Sequence, residues 1–379
     1  MNDDQMWNDQ RGSSDEVQCV PASAHRICQI TGDYDPEGLL HLNNTVEWGV
    51  VGTDLGVPVE HQGRLYIFFG DVIEFDDADP IAYTTDLDPE PHGFCLTPIL
   101  RDGPGTNFRP LNVKGLTNTS YLGRNETPTG AFSYDGRLYV FVITGNDKPV
   151  SSLTSSADPA SDFDLHYHVS DVNGKFWQIA PWVIDNADWP GLPSDAGDGV
   201  LLWGQAGRGV YLAWMELKPG QGPSEDLRYY TGPEMPWSQE ESNAVFLFSV
   251  PSITQLSVAW VPEARRWLIL YSRAFWDSPH ESIVCRVAKT LWDWSNEVPI
   301  FDPDRESAFT RYMHKPGHDD GLDVRPPRSS SGWAYAPFLL SRYTRWDSRE
   351  RIATIYYLMS TNAPYQVMLM RSQLRFSDE

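Results

Sequence analysis

The sequence predicts an all-β fold and, among all-β architectures, a five-bladed β-propeller. The segment Gly63-Arg64-Leu65-Tyr66-Ile67-Phe68-Phe69 recurs 73 residues later as Gly136-Arg137-Leu138-Tyr139-Val140-Phe141-Val142. A turn glycine followed by an apolar run marks a strand unit that is used more than once. The 29 glycines, 29 prolines, 15 Trp, 17 Tyr and 16 Phe suit many short strands joined by turns, and helical periodicity is almost absent.

Five strand-rich units follow one another along the chain. Their apolar middle strands are predicted at 65–69, 138–143, 210–215, 267–271 and 352–359. Outer strands are predicted at 81–83, 165–169, 227–230, 283–287 and 367–370. Equivalent places are assigned to Tyr66, Tyr139, Tyr211, Trp267 and Tyr356, which are 73, 72, 56 and 89 residues apart. A bare four-stranded blade takes roughly 40 to 50 residues, so long loops are expected between strands; the alternative is a large two-sheet sandwich.

The chain divides into two regions by composition. Residues 1–45 are polar and poorly patterned, and we expect an N-terminal arm that lies over the body or stays mobile. Residues 46–379 form the predicted propeller domain. The first residues lack the basic and apolar regions of a secretory signal, which predicts a soluble protein without a leader and leaves a cytoplasmic location or leaderless secretion open.

The formal charge of -23 and the sequence pI near 4.6 restrict the partners. A field of this sign repels phosphate backbones and anionic lipids, so neither nucleic acid nor a membrane is expected as a partner. The surplus of aromatic side chains favours flat stacking surfaces for sugar rings, and we expect a polysaccharide or oligosaccharide. The oligomeric state stays open.

No cofactor and no metal are predicted. The sequence has no Gly-rich phosphate loop, no Gly-x-Ser-x-Gly elbow and no dinucleotide fingerprint. His166 and His168 alternate along one predicted strand, where a packed strand face is the simpler interpretation than a metal site. The acids Glu74, Asp76, Asp77 and Asp79 lack calcium-loop spacing and are interpreted as solvated. Cys19 and Cys28 could form a disulfide, whereas Cys285 is expected to be a buried thiol.

The first hairpin carries two aspartates that the second lacks. A two-residue turn at Gln62-Gly63 would pair positions whose numbers sum to 125, which places Asp54 opposite Asp71. Like charges in direct opposition destabilise a ladder, so the fold gains nothing from this pair. The corresponding residues of the second copy are Thr127 and Thr144. A bulge at Gly56 or Gly70 would break this register.

Two short motifs, Gly52-Thr53-Asp54-Leu55-Gly56 and Phe69-Gly70-Asp71-Val72, resemble the signature of the family called domain of unknown function 4185, which is largely placed in glycoside hydrolase family 183. Further matches are Leu202-Trp203-Gly204, Val210-Tyr211-Leu212-Ala213, Arg228-Tyr229-Tyr230-Thr231-Gly232 and Ser257-Val258-Ala259-Trp260. The resemblance covers about residues 48–375. It implies a five-bladed propeller and endo-acting cleavage of D-arabinofuranose polymers, with Asp54 and Asp71 as the carried-over aspartates.

Glycoside cleavage needs one carboxylic acid and one carboxylate, and Asp54 and Asp71 are the predicted catalytic pair, with the acid and base roles open. Glu126 and Thr127, at the start of the second inner strand, are predicted to bind substrate. Gln205 and Arg208, at the turn of the third unit, are predicted to do the same. The alternatives are a carbohydrate-binding propeller without turnover, lectin-like or toxin-associated, and a purely structural interaction module.

Overall fold

The computed structural model describes residues 17–73, 78–102, 107–115, 122–124, 126–144, 150–171, 173–184, 189–250, 253, 255–273, 282–315, 317–322 and 332–377. In these ranges the chain is almost entirely β-structure. Its helical segments are three short 3₁₀ helices, at Thr45–Trp48, Glu241–Asn243 and Ser341–Tyr343. The described residues include no helix with the length and apolarity needed to cross a bilayer.

The strands form five separate sheets. The chain begins with β1 (Val17–Cys19) and β2 (His25–Gln29), which belong to the last sheet. The first sheet then forms from β3 (Leu55–His61), β4 (Arg64–Phe69), β5 (Ile81–Thr84) and β6 (Thr97–Pro98), in that order.

The second sheet has five strands. They are β7 (Val113–Lys114), β8 (Thr127–Tyr134), β9 (Arg137–Ile143), β10 (Val150–Ser156) and β11 (Phe163–Asp171). Their order in space is β8-β9-β10-β11-β7, and β7 pairs with β11 in parallel.

The third sheet has seven strands. They are β12 (Gln178–Ile184), β13 (Gly199–Ala206), β14 (Gly209–Lys218), β15 (Gly222–Pro223), β16 (Arg228–Tyr230), β17 (Trp237–Ser238) and β18 (Phe248–Ser249). The main order is β12-β13-β14-β16-β17, with β15 and β18 also paired to β14.

The fourth sheet consists of β19 (Leu256–Val261), β20 (Arg266–Ser272), β21 (Ile283–Ala288) and β22 (Val298–Phe301). The fifth contains β23 (Ala334–Leu339), β24 (Arg345–Asp347), β25 (Ile352–Asn362) and β26 (Tyr365–Phe376). Both β1 and β2 pair with β26, so two strands from the region predicted as an arm complete the last sheet.

The five first strands, β3, β8, β12, β19 and β23, contact one another as a closed ring. Near the strand ends His61 Nδ1 lies 2.9 Å from Ser133 Oγ, which joins β3 to β8. A Cβ on Gly130 would lie 2.2 Å from the carbonyl oxygen of Ile179, so this glycine allows β8 to approach β12 closely. The all-β class and a propeller-like arrangement are confirmed.

Large apolar side chains fill the spaces between neighbouring sheets. Phe68 and Phe163 meet edge to face with ring centroids 6.0 Å apart, and Trp203 and Trp267 lie 5.0 Å apart. Trp182 and Trp189 also pack on Trp267, so these tryptophans contribute to packing between sheets.

The predicted equivalence of the five units is wrong in the third. Tyr66, Tyr139, Trp267 and Tyr356 all lie on second strands. Tyr211 lies on β14, which is a third strand, because β12 and β13 precede it in the sheet. The 72-residue spacing between Tyr139 and Tyr211 therefore does not reflect equivalent positions in the two sheets.

All four cysteines are free thiols, so a Cys19–Cys28 bridge is not present. His166 and His168 bond to the hydroxyls of Ser155 and Ser152 at 2.7 and 2.9 Å, as expected of a packed strand face. Within the described ranges no group of three or more His, Cys, Asp or Glu is arranged to hold a metal.

Candidate active site

The first hairpin has the predicted turn but not the predicted register at its far end. Gln62 and Gly63 have φ of 48° and 79°, as a tight two-residue hairpin turn requires. From Val57 to His61 the paired positions follow the expected register, and it then shifts by one at Gly56. Gly70 N donates to Asp54 O at 2.9 Å, so Asp54 lies opposite Gly70. The predicted direct opposition of Asp54 and Asp71 is wrong because of this bulge.

The bulge and a glycine together create the space for the Asp54 side chain. Leu55 and Gly56 have φ of 61° and 118°, which is left-handed backbone. A Cβ added to Gly70 would lie 2.2 Å from Asp54 Oδ1. The carboxylate therefore occupies the volume that a side chain at position 70 would fill.

The second hairpin slips at the same place. Its register shifts at Thr129, which is 73 residues after Gly56, and Thr127 pairs with Ile143. Thr127 thus takes the position that corresponds to Asp54. Its Oγ1 donates to Asp79 Oδ1 at 3.4 Å, which links the second sheet to the loop after β4.

Asp54 is held by two tyrosines from the fifth sheet. The hydroxyl of Tyr335 donates to Asp54 Oδ2 at 2.8 Å, and Tyr365 makes a second side-chain hydrogen bond to the same carboxylate. Burial raises the pKa of Asp54 to about 6, although the two tyrosine hydrogen bonds act to lower it. Asp54 is half-buried, so it retains a path to solvent.

Asp79 lies beside this pair and is fully buried. Burial raises the pKa of Asp79 well above its ordinary value, and the negative charges of Asp71, Asp54 and Glu126 raise it further. Three carboxyl groups therefore lie close enough to Asp79 to disfavour its ionisation. Asp79 Oδ2 is buried and has no hydrogen-bond partner among the described residues. The interpretation of Asp79 as a solvated acid is wrong, while Glu74, Asp76 and Asp77 lie outside the described residues.

Glu126 is only 2 % exposed, so it is not a solvated loop acid. Its Oε2 accepts from Gly123 N at 3.0 Å, while its own N–H donates to Gly123 O at 2.8 Å. This tight turn fixes the side chain at the start of β8, on the side of Asp79. The substrate-binding role of Glu126 stays a prediction.

Gln205 and Arg208 lie at the β13–β14 turn. Gln205 pairs with Gln178 at the start of β12, so both lie at the end of the molecule where the innermost strands begin. Gln205 Nε2 donates to Gly207 O and Ile253 O at 3.2 and 3.4 Å. Across the described ranges, no hydrogen bond or ion pair joins Gln205 or Arg208 to the four carboxyl groups. Their substrate-binding role stays a prediction.

Sequence reasoning missed Asp79, Tyr335 and Tyr365. Asp79 directly precedes Pro80 and the buried strand β5, and that position distinguishes it from the rest of the acidic run. Tyr335 lies near the start of the fifth innermost strand, and Asp54 directly precedes the first. Tyr365 follows the turn between β25 and β26, and no local signal in the sequence points to it.

The fold resembles solved structures at very low sequence identity. A protein of Bacteroides ovatus ATCC 8483 described as a candidate hydrolase is 11% identical, with 86% of this chain and 87% of that chain covered and a TM-score of 0.55. The exo-β-1,3-galactanase of Phanerochaete chrysosporium in complex with galactose is 8% identical, with 91% and 64% covered and a TM-score of 0.50. These likenesses show the fold alone. No curated protein matches the sequence.

The sequence also matches the model of a protein family. The family is described as domain of unknown function (DUF4185), and the match runs over residues 41–371. This range includes all four carboxyl groups, both tyrosines and all five innermost strands. Because the match spans most of its length, the chain belongs to the DUF4185 family.

Proposed function

We propose that the protein is a glycoside hydrolase that cleaves a furanoside polysaccharide, in the manner of an endo-D-arabinofuranase acting on D-arabinan. The observation that carries the proposal is the group of Asp54, Asp71, Asp79 and Glu126 at one end of the ring of innermost strands. Such a concentration of carboxyl groups costs stability, and chemistry at the site is the physical reason to retain it. The shared fold of an enzyme described as a galactanase supports a sugar polymer as substrate.

The roles of the two aspartates are assigned from the surroundings of Asp54. Two tyrosine hydrogen bonds to Asp54 favour its ionised form, and with a pKa of about 6 it is mostly a carboxylate at pH 7. Asp54 is therefore assigned as the base or nucleophile. Asp71 is assigned as the acid that protonates the departing glycosidic oxygen. Proton NMR of the first-formed product distinguishes the retaining from the inverting outcome.

Asp79, Tyr335 and Tyr365 are assigned as positioning residues. Burial and neighbouring charge favour the neutral form of Asp79, so it adds little negative charge beside the pair. The tyrosines hold Asp54 by hydrogen bonds from the fifth sheet. In this proposal their hydroxyls affect catalysis indirectly, because they set the orientation and the proton affinity of the Asp54 carboxylate.

The substrate surface follows the starts of the innermost strands. In our proposal the five sheets are the five blades of a propeller domain that spans residues 46–379 and is completed by β1 and β2. A sugar chain lies across its central face. Glu126, Thr127, Gln205 and Arg208 are the proposed contacts. Gln178 and Gln255 add two amide oxygens that are buried without a hydrogen-bond partner among the described residues. Side-chain amides in such positions suit sugar hydroxyl donors.

Product analysis over a panel of polysaccharides tests the proposal. The panel contains D-arabinan, arabinogalactan, L-arabinan and β-1,3-galactan, and the readout is new reducing ends together with fragment length. Release of oligosaccharides from D-arabinan by the wild type, at least a thousandfold lower in folded Asp54→Asn and Asp71→Asn, is the expected result. Saturable binding without new reducing ends would instead identify a carbohydrate-binding propeller. If the protein neither binds nor cleaves any polysaccharide of the panel, both the hydrolase and the carbohydrate-binding proposals are overturned.

A further inference from the structure

A separate cavity lies on the axis of the ring, away from the carboxyl groups. This axial cavity has a volume of about 320 Å³ and is lined by residues of all five innermost strands. Glu60 and Ser341 line it and are exposed, so it opens where the innermost strands end. Asp54, Asp71, Asp79 and Glu126 are not among its lining residues.

The wall of the axial cavity is mainly apolar. It includes Val57, Ala131, Phe132, Val258 and Phe338, with Trp182 at one side. A cavity of this size and lining is typical of small-molecule sites. It is roughly twice the ~150 Å³ of an engineered apolar cavity that binds benzene in another protein, so a phenyl ring with a short chain fits it.

One guanidinium in the wall has unused hydrogen-bonding capacity. Arg342 lines the axial cavity, and among the described residues its side chain has no hydrogen-bond or ion-pair partner, with Nη1 buried. The guanidinium lies over the ring of Tyr343, whose centroid is 5.7 Å from Cζ. A guanidinium carries five N–H donors in a planar fork, and leaving them unpaired at a partly buried site is costly.

We propose that the axial cavity binds a small monocarboxylate with an aromatic or branched apolar body, with the carboxylate paired to Arg342 and the body against the apolar wall. The planar fork of an arginine matches a carboxylate in a bidentate manner. Glu60 also lines the cavity, and its charge opposes an anion there. Because Glu60 is exposed, solvent screens its charge more than it screens a contact at Arg342.

Isothermal titration with 3-phenylpropionate, and with neutral 3-phenyl-1-propanol as its counterpart, tests the proposal. Saturable binding at one site is expected for the acid, at least tenfold tighter than for the alcohol, since a charge-assisted pair is lost with the alcohol. Arg342→Gln should weaken binding of the acid at least tenfold and leave binding of the alcohol unchanged. Glu60→Gln should instead strengthen binding of the acid by a few-fold, because the substitution removes a negative charge from the cavity wall.

Three further variants locate the binding. Ala131→Phe, or the smaller Ala131→Leu if the first does not fold, fills the cavity and should weaken binding of both compounds. Arg265→Gln, at an exposed turn, should leave binding unchanged. Asp54→Asn should also bind normally, which separates this site from the proposed hydrolase. Equal affinity for acid and alcohol, no effect of Arg342→Gln, or no saturation would each overturn the proposal.

Discussion

Tyr335 and Asp54 are 281 residues apart in the chain, and the hydroxyl of one donates to Oδ2 of the other at 2.8 Å. Tyr335 belongs to the innermost strand of the fifth sheet, and Asp54 directly precedes the innermost strand of the first. The proposed base is therefore fixed at the junction of the first and last sheets.

The pH dependence of kcat/KM follows from the raised pKa of Asp54. A base must be ionised, so kcat/KM should fall about tenfold per pH unit as the pH drops below about 6. Initial rates on D-arabinan between pH 4 and 8 measure this limb, with circular dichroism as a control for folding. A rate that instead rises as the pH drops through 6 would assign Asp54 as the acid.

Tyr335→Phe should move that acidic limb to higher pH. The tyrosine hydrogen bond lowers the pKa of Asp54, so its removal should raise the pKa by roughly half to one unit. The measurement is the same pH–rate profile. Tyr167→Phe is the matched control, because its hydroxyl donates to Ser224 O at 2.9 Å in another part of the molecule. An unshifted limb in Tyr335→Phe would remove the positioning role.

Gly70→Ala should abolish most activity through a steric effect on Asp54. The added Cβ would lie 2.2 Å from Asp54 Oδ1, so the carboxylate must move. We expect kcat to fall at least a hundredfold, with a loss of about 1–3 kcal/mol in the free energy of unfolding. Gly197→Ala is the control, since a Cβ there meets nothing within 4 Å. Full activity in Gly70→Ala would contradict the assigned role of Asp54.

Asp79→Asn should stabilise the protein at high pH. The pKa of Asp79 is raised by folding, so the native state binds the extra proton and stability falls as the pH rises from about 4 through the folded pKa. Asparagine has no carboxyl group to ionise, so Asp79→Asn removes this decrease in stability at high pH. Urea unfolding at pH 4 and pH 8 should show near-equal stability at pH 4 and a gain of more than about 1 kcal/mol at pH 8. A lower stability of Asp79→Asn than of the wild type at pH 8 would contradict the raised pKa of Asp79.

The turn and the repeat could be predicted from the sequence because both depend on local residues. Gln62-Gly63 is followed by an apolar run, and the same pattern at Asp135-Gly136 gives the second hairpin its turn. The bulge at Gly56 could not be predicted with the same certainty, because pairing arithmetic assumes an unbroken ladder. Asp54 therefore lies opposite Gly70, the residue before Asp71, and not opposite Asp71 itself.

The rest of the site depends on contacts between distant parts of the chain. Asp79 lies in an acidic run that resembles a surface loop, and only the packing of the first two sheets buries it. Tyr335 and Tyr365 approach Asp54 because the ring closes. In the third unit a proline within β12 obscured the innermost strand, so Val210 to Met215 was assigned one place too far inward.

The pairing of β1 and β2 with β26 has a consequence for biosynthesis. The ribosome delivers residues 17–29 early, yet their hydrogen-bonding partners between 368 and 376 are made hundreds of residues later. Those two edges must wait unpaired, or bound by a chaperone, through nearly the whole of translation. The Asp54 carboxylate waits for its tyrosines in the same way, so catalytic competence is expected to arise in the final step of maturation.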